Sequence, residues 1–173
     1  MKRQGFTIVE LVITITIMAI LLVLSVADFS DTQINSRDSE RKLDIETIAN
    51  NLEVYYTSGT DGSTSIGKYP STSAMTGLSN QQTALRDVNI KNLIAPSAPS
   101  DTITSLVVAT NNTQTVAGVL PQPQAATDQN QYVYQPIQQN GALCNAAVAC
   151  QKFNLYYVTE IDNVVHKVTS KNQ

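Results

Sequence analysis

From Phe6 to Ala27 the chain is apolar almost without a break: in "FTIVELVITITIMAILLVLSVA" the only ionisable side chain is Glu10. About 20 such residues suffice to cross a bilayer as a helix. A helix with no polar face cannot be the surface helix of a soluble domain. Lys2 and Arg3 precede the run, whereas Asp28 and Asp31 follow it. Because positive charge is retained on the cytoplasmic side, the bulk of the chain is expected to face outward.

The pattern then changes without a break in the chain, since neither Gly nor Pro occurs between Gly5 and Gly59. Ile45, Ile48, Ala49, Leu52, Tyr55 and Tyr56 follow the three-and-four spacing of one helix face. Asp38 with Lys42, and Lys42 with Glu46, stand at i, i+4 and are expected to pair. At about 1.5 Å per residue a single helix over 6–58 would make a rod of roughly 80 Å. Its inner half would lie in lipid and its outer half would carry a stripe for packing on the chain's own domain.

Beyond Gly59 the periodicity shortens. "SGTDGSTSIGKYP" reads as a polar loop ending in Tyr69-Pro70. A short helix is expected within "SNQQTALRDVNIKNL", capped at Ser79 or Asn80, with Leu85, Val88 and Ile90 or Leu93 facing in. Strands are expected at 103–109, 131–137, 153–161 and 164–170, with Asp162-Asn163 as a tight hairpin between the last two. The fold class is therefore α+β: a long N-terminal helix packed against a small antiparallel sheet. The organisation expected is 1–5 as a short basic segment, 6–27 as the membrane helix, 28–58 as its amphipathic continuation and 59–173 as an extracytoplasmic domain.

Composition narrows the function. A chain of 173 residues has room for one modest domain besides the apolar segment. The formal charge is −3, and −5 without Lys2 and Arg3, so no basic nucleic-acid footprint is present. The remainder is rich in Ser, Thr, Asn and Gln, which suits a small wet-surfaced domain better than an enzyme with a deep apolar pocket.

Candidate chemistry is thin. Cys144 and Cys150 have only the lone His166 as a further soft ligand, which does not make a metal site. A disulfide is the better reading outside the cytoplasm, with two free thiols as the alternative. His166 reads as an exposed strand histidine. Asp61, Asp101 and Asp128 are loop acids without an EF-hand pattern. Asn111-Asn112-Thr113 matches a glycosylation acceptor. No catalytic group, metal or cofactor is called for.

Glu10 remains to be explained, because an ionised group near the centre of a bilayer costs about 2.5–3.5 kcal/mol on insertion scales. Two plain readings leave it without a partner. One is a cleavable secretory signal ending at Ser25-Val26-Ala27, whose apolar region would be longer than usual. The other is an uncleaved anchor for an unrelated binding domain. Cutting between Gly5 and Phe6 would instead create an α-amino group four residues before Glu10. That amine could pair with the glutamate of its own chain or of a displaced neighbour. An ion pair of this kind is better evidence for register than for stability.

These residues carry a resemblance. "KRQGFTIVELVITITIMAILLVLSVA" resembles the class III signal of type IV pilins and pseudopilins, with a basic leader, Gly5 before the cut, Phe6 after it, Thr7, and Glu10 as the fifth mature residue. The resemblance implies that a membrane peptidase cuts after Gly5, that the Phe6 amine is methylated, and that Glu10 sets the register of assembly. It implies as partners other pilins, the peptidase and methyltransferase, and an inner-membrane assembly platform. No Walker-type sequence is present, so the ATPase motor would be a separate protein. Repetition of one contact that does not close gives an open helical filament. The function implied is that of a structural subunit of a type IV pilus or pilus-like filament, serving adhesion, motility or DNA uptake, or of a type II secretion pseudopilus. Many pilins have proline where this chain has Ala27, so a local melt of the helix is not expected there. The Cys144 to Cys150 loop lies where pilins often place a C-terminal disulfide region.

Overall fold

The computed structural model describes residues 5–59, 65–110, 129–145 and 150–172, with the backbone alone at 26–28. The chain divides into two units, 1–36 and 37–173. Helix α1, Ile8–Ser58, runs through the division. In the first unit the described apolar side chains from Phe6 to Leu24 are all exposed.

The second unit is built on one face of α1. Ile45, Ile48, Ala49 and Leu52 are buried, and Tyr55 and Tyr56 pack at the margin, so the three-and-four stripe is the core face. Of the two lysine pairs expected along this helix neither forms among the described residues. Asp38 instead pairs with Arg41 at i+3, because Arg41 is fully buried and takes the nearer carboxylate. The stripe meets Tyr132 and Tyr134 of β2 (Tyr132–Ile137) and Phe153, Leu155 and Tyr157 of β3 (Lys152–Val158). Met75 of α2 (Thr72–Met75), Leu85 after α3 (Leu78–Ala84), and Leu93 of the 3-10 turn Ile90–Leu93 complete this core.

The sheet order is β1-β2-β3-β4, with β1 at Leu106–Val108 and β4 at Val165–Thr169. β2, β3 and β4 are antiparallel, but β1 lies parallel to β2, with Leu106 opposite Tyr132. The sheet is thus mixed rather than wholly antiparallel. The connection 109–131 is long enough for the crossover that a parallel pair requires. Val133, Tyr156 and Val158 point to the other face of the sheet and are buried there too, with Ala109.

Three local expectations shift. Ser71, not Ser79 or Asn80, provides a side-chain cap, for α2; α3 starts after Gly77, whose φ of 82° few other residues adopt. Of the alternatives Ile90 or Leu93, Leu93 is the one that faces in, as expected of one of the two, and Ile90 is exposed. The strand expected at 153–161 ends at Val158, because the Glu160 and Ile161 amides turn away to the Asp38 carboxylate at 2.8 and 3.0 Å. The β3–β4 connection is therefore 159–164 rather than two residues. Asn163 takes a φ of 54°, the role a glycine usually fills, and Asp162 Oδ1 accepts from Thr159 Oγ1 and Val164 N.

Candidate functional site: the amino-terminal segment

Sequence alone makes Glu10 an isolated carboxylate; the structure gives it a local position. Thr7 Oγ1 accepts from the Glu10 amide at 3.2 Å, and its hydroxyl donates to Glu10 Oε2 at 3.5 Å. Thr7 stands before the first helical residue, Ile8, and Glu10 three residues after Thr7, in the helix's first turn. This is the Thr-x-x-Glu spacing of a capping box, in which a hydroxyl covers an orphan amide of the first turn. The carboxylate also complements the positive end of the helix dipole. That signal was legible in "TIVE" but is masked by reading the segment as apolar. No ion pair involves Glu10 among the described residues.

Gly5 has open space around the position of a Cβ, so no packing among the described residues requires glycine there. Phe6 is exposed beside it. Downstream, the helix satisfies its own polar side chains. Thr14 donates to the Leu11 carbonyl, Thr16 to those of Val12 and Ile13, and Ser25 to that of Leu21, all at 2.8–2.9 Å. Hydroxyls bonded to their own helix can enter hydrocarbon without an unsatisfied group. The helix contains an 18-residue window of mean hydropathy 2.7, none of it buried in the structure. The arrangement suits burial in lipid or among similar helices.

The other singled-out residues lie in the second unit. Cys144 and Cys150 are disulfide-bonded, with Cα atoms 5.5 Å apart, and both are buried. The bonded loop is tied to 69–72: Tyr69 N donates to the Cys150 carbonyl at 2.8 Å and Thr72 N to that of Cys144 at 3.1 Å. His166 stacks on Tyr157 and places Nε2 3.1 Å from Thr159 Oγ1. Among the described residues no three potential metal ligands gather. Asp101 is exposed; Asp61, Asp128 and the acceptor pattern at 111–113 lie outside the described residues.

Three polar clusters escaped the sequence reading. Glu160 accepts from Arg37 Nε at 2.8 Å and Nη2 at 2.5 Å, and from Arg41 Nη2 at 2.5 Å. Arg41 also bonds Asp38, Ser97 and the Gln129 carbonyl. The hydrogen bond from Arg37, with further help from Arg41, holds the Glu160 carboxyl down to about 2. Glu53 accepts from Tyr69 Oη, Lys171 N and Asn172 Nδ2 at 2.7–2.8 Å, fastening the chain's last described residues to α1. Burial and the Glu53 bond push Tyr69 up to about 12. Tyr132 Oη donates to the buried Asp44 at 2.9 Å. Such clusters join positions more than 80 residues apart, which no local spacing reveals.

Residues 1–26 match the family model of the prokaryotic N-terminal methylation motif. No curated protein and no solved structure matches the chain. The matched segment contains Gly5, Phe6, the Thr7 cap and Glu10, and it indicates a structural subunit that is processed by a prepilin peptidase. With its apolar α1, consistent with membrane anchoring, the chain carries the type IV prepilin-type signal, which supports a type IV pilin- or pseudopilin-like precursor.

Proposed function

We propose that the chain is a structural prepilin, cut between Gly5 and Phe6, methylated on the Phe6 amine, and assembled through α1 into a type IV pilus or pilus-like filament. The observation that carries this reading is the methylation motif at 1–26 overlapping a helix whose described apolar side chains from Ile8 to Leu24 are all exposed. Before assembly residues 6–27 span the cytoplasmic membrane with the N-terminus inside, and 59–173 lie outside. After cleavage the new amine of Phe6 and the Glu10 carboxylate form the charge pair that fixes a neighbour's register; a misplaced neighbour leaves a charge unpaired in an apolar setting. Since helix contacts in the filament replace lipid contacts of similar polarity, packing and register select the assembly. Extraction is driven by a separate ATPase acting through an inner-membrane platform.

Two substitutions in the native host test this. Glu10→Ala leaves membrane insertion intact and abolishes incorporation into sheared filaments; unchanged filament yield sinks the register role. Gly5→Val leaves the leader attached, and normal processing of that variant removes the assigned cleavage site.

A further inference from the structure

Asp44 is a carboxylate in the helix–sheet core of the second unit that forms no salt bridge among the described residues. The residue is 5% exposed, and its bonded neighbour Tyr132 is 0% exposed. The hydrogen bond from Tyr132 Oη, at 2.9 Å, comes from a neutral donor and so only partly offsets the buried charge. The cation of α1 that acts on Asp44 is Arg41, one turn earlier. Its guanidinium is committed to Asp38, Glu160, Ser97 and the Gln129 carbonyl. Glu40, also on α1, adds repulsion. The titratable groups acting on Asp44 are thus Tyr132 from β2 and Glu40 and Arg41 from its own helix, and Arg41 is itself paired with Asp38 and Glu160.

An ionised carboxylate in this position is costly, and protonation removes the cost while leaving Tyr132 a partner oxygen. We propose that Asp44 is a pH-responsive element of the packing of α1 on β2: the helix–sheet core tightens when Asp44 is protonated in mildly acidic surroundings and loosens when it ionises. Burial, only partly offset by the Tyr132 bond, raises its carboxyl from 3.8 to about 6. The sign follows. A folded-state value above the unfolded one means that the native chain binds the extra proton, so stability is greatest below the unfolded value and declines as pH rises through the folded one. Between pH 4.5 and 7.5 the unfolding equilibrium constant is expected to rise about tenfold to a hundredfold on this account.

The test uses the full chain in detergent micelles. The side-chain carboxyl carbon of Asp44 is titrated by NMR, and thermal unfolding is followed by circular dichroism at several pH values. The expected result is a midpoint near 6 for Asp44, and a melting temperature that falls from pH 4.5 to 7.5 in the wild type but stays nearly level in Asp44→Asn. Tyr132→Phe should move the Asp44 midpoint further up. An Asp44 midpoint in the ordinary range near 4 overturns the proposal. So does a pH slope in Asp44→Asn equal to that of the wild type. The NMR titration of the wild type decides the matter even where a variant fails to fold.

Discussion

Replacing Glu160 by glutamine removes the shared anion of two arginines. Arg41 has a fully buried side chain and Arg37 one that is 32% exposed, and together they give the carboxylate three bonds of 2.5–2.8 Å. Removing one partner of a buried ion pair costs about 3–5 kcal/mol. Here Arg41 keeps Asp38 at 2.8 Å, and the Arg37 bond is screened by solvent, so about 2–3 kcal/mol is the expected loss at pH 7. The pH dependence supplies a second reading of the same contact. Glu160 is lowered from 4.5 to about 2 in the folded chain. Its contribution is therefore present above 4.5 and lost as pH falls through 2, and after discounting for solvent screening it amounts to about 1–2 kcal/mol. Urea unfolding of the full chain in detergent at pH 7, 4.5 and 2.5 measures both. The wild type and Glu160→Gln should differ most at pH 7 and converge toward pH 2.5. A difference below about 0.5 kcal/mol at pH 7, the scale of a surface pair, or one indifferent to pH, would refute the reasoning.

Reduction of the disulfide, or the double change Cys144→Ser with Cys150→Ser, should lower stability by about 2 kcal/mol on the loop-entropy model, and chemical unfolding with and without reductant checks this. Asn163→Ala should cost about 1–2 kcal/mol, read as a lower melting temperature, because alanine at a φ of 54° is strained and the Oδ1 that accepts from Gln129 is lost. Thr7→Val should remove a cap worth about 1 kcal/mol and speed amide exchange at Glu10 by about fivefold, whereas Thr7→Ser should preserve protection.

The parts of the fold set by one-dimensional spacing were legible in the sequence. The stripe from Ile45 to Leu52 is the core face of α1, and β2, β3 and β4 fall where alternation and aromatic content placed them. What failed depended on groups distant in the chain. The end of β3 is set by Asp38, which takes the Glu160 and Ile161 amides, and the parallel entry of β1 by a long connection that carries no pairing signal. Spacing alone pairs Asp38 with Lys42, but the buried Arg41 takes it instead. Within the amino-terminal segment, Glu10 stands out as a charge in an apolar run, whereas Gly5 and Phe6 are marked by the resemblance to the prepilin-type signal. The Thr7 cap went unseen because the polar hydroxyl sits in a run read for its hydropathy.

The central claim, a precursor cut after Gly5 and polymerised through α1, is tested most directly by the N-terminal residue and intact mass of the protein from its own cells, in sheared surface material and in membranes. The expected result is a chain beginning at Phe6 and carrying one added methyl group in the sheared fraction. A chain that begins at Asp28, or an intact Met1 confined to membranes, would contradict it.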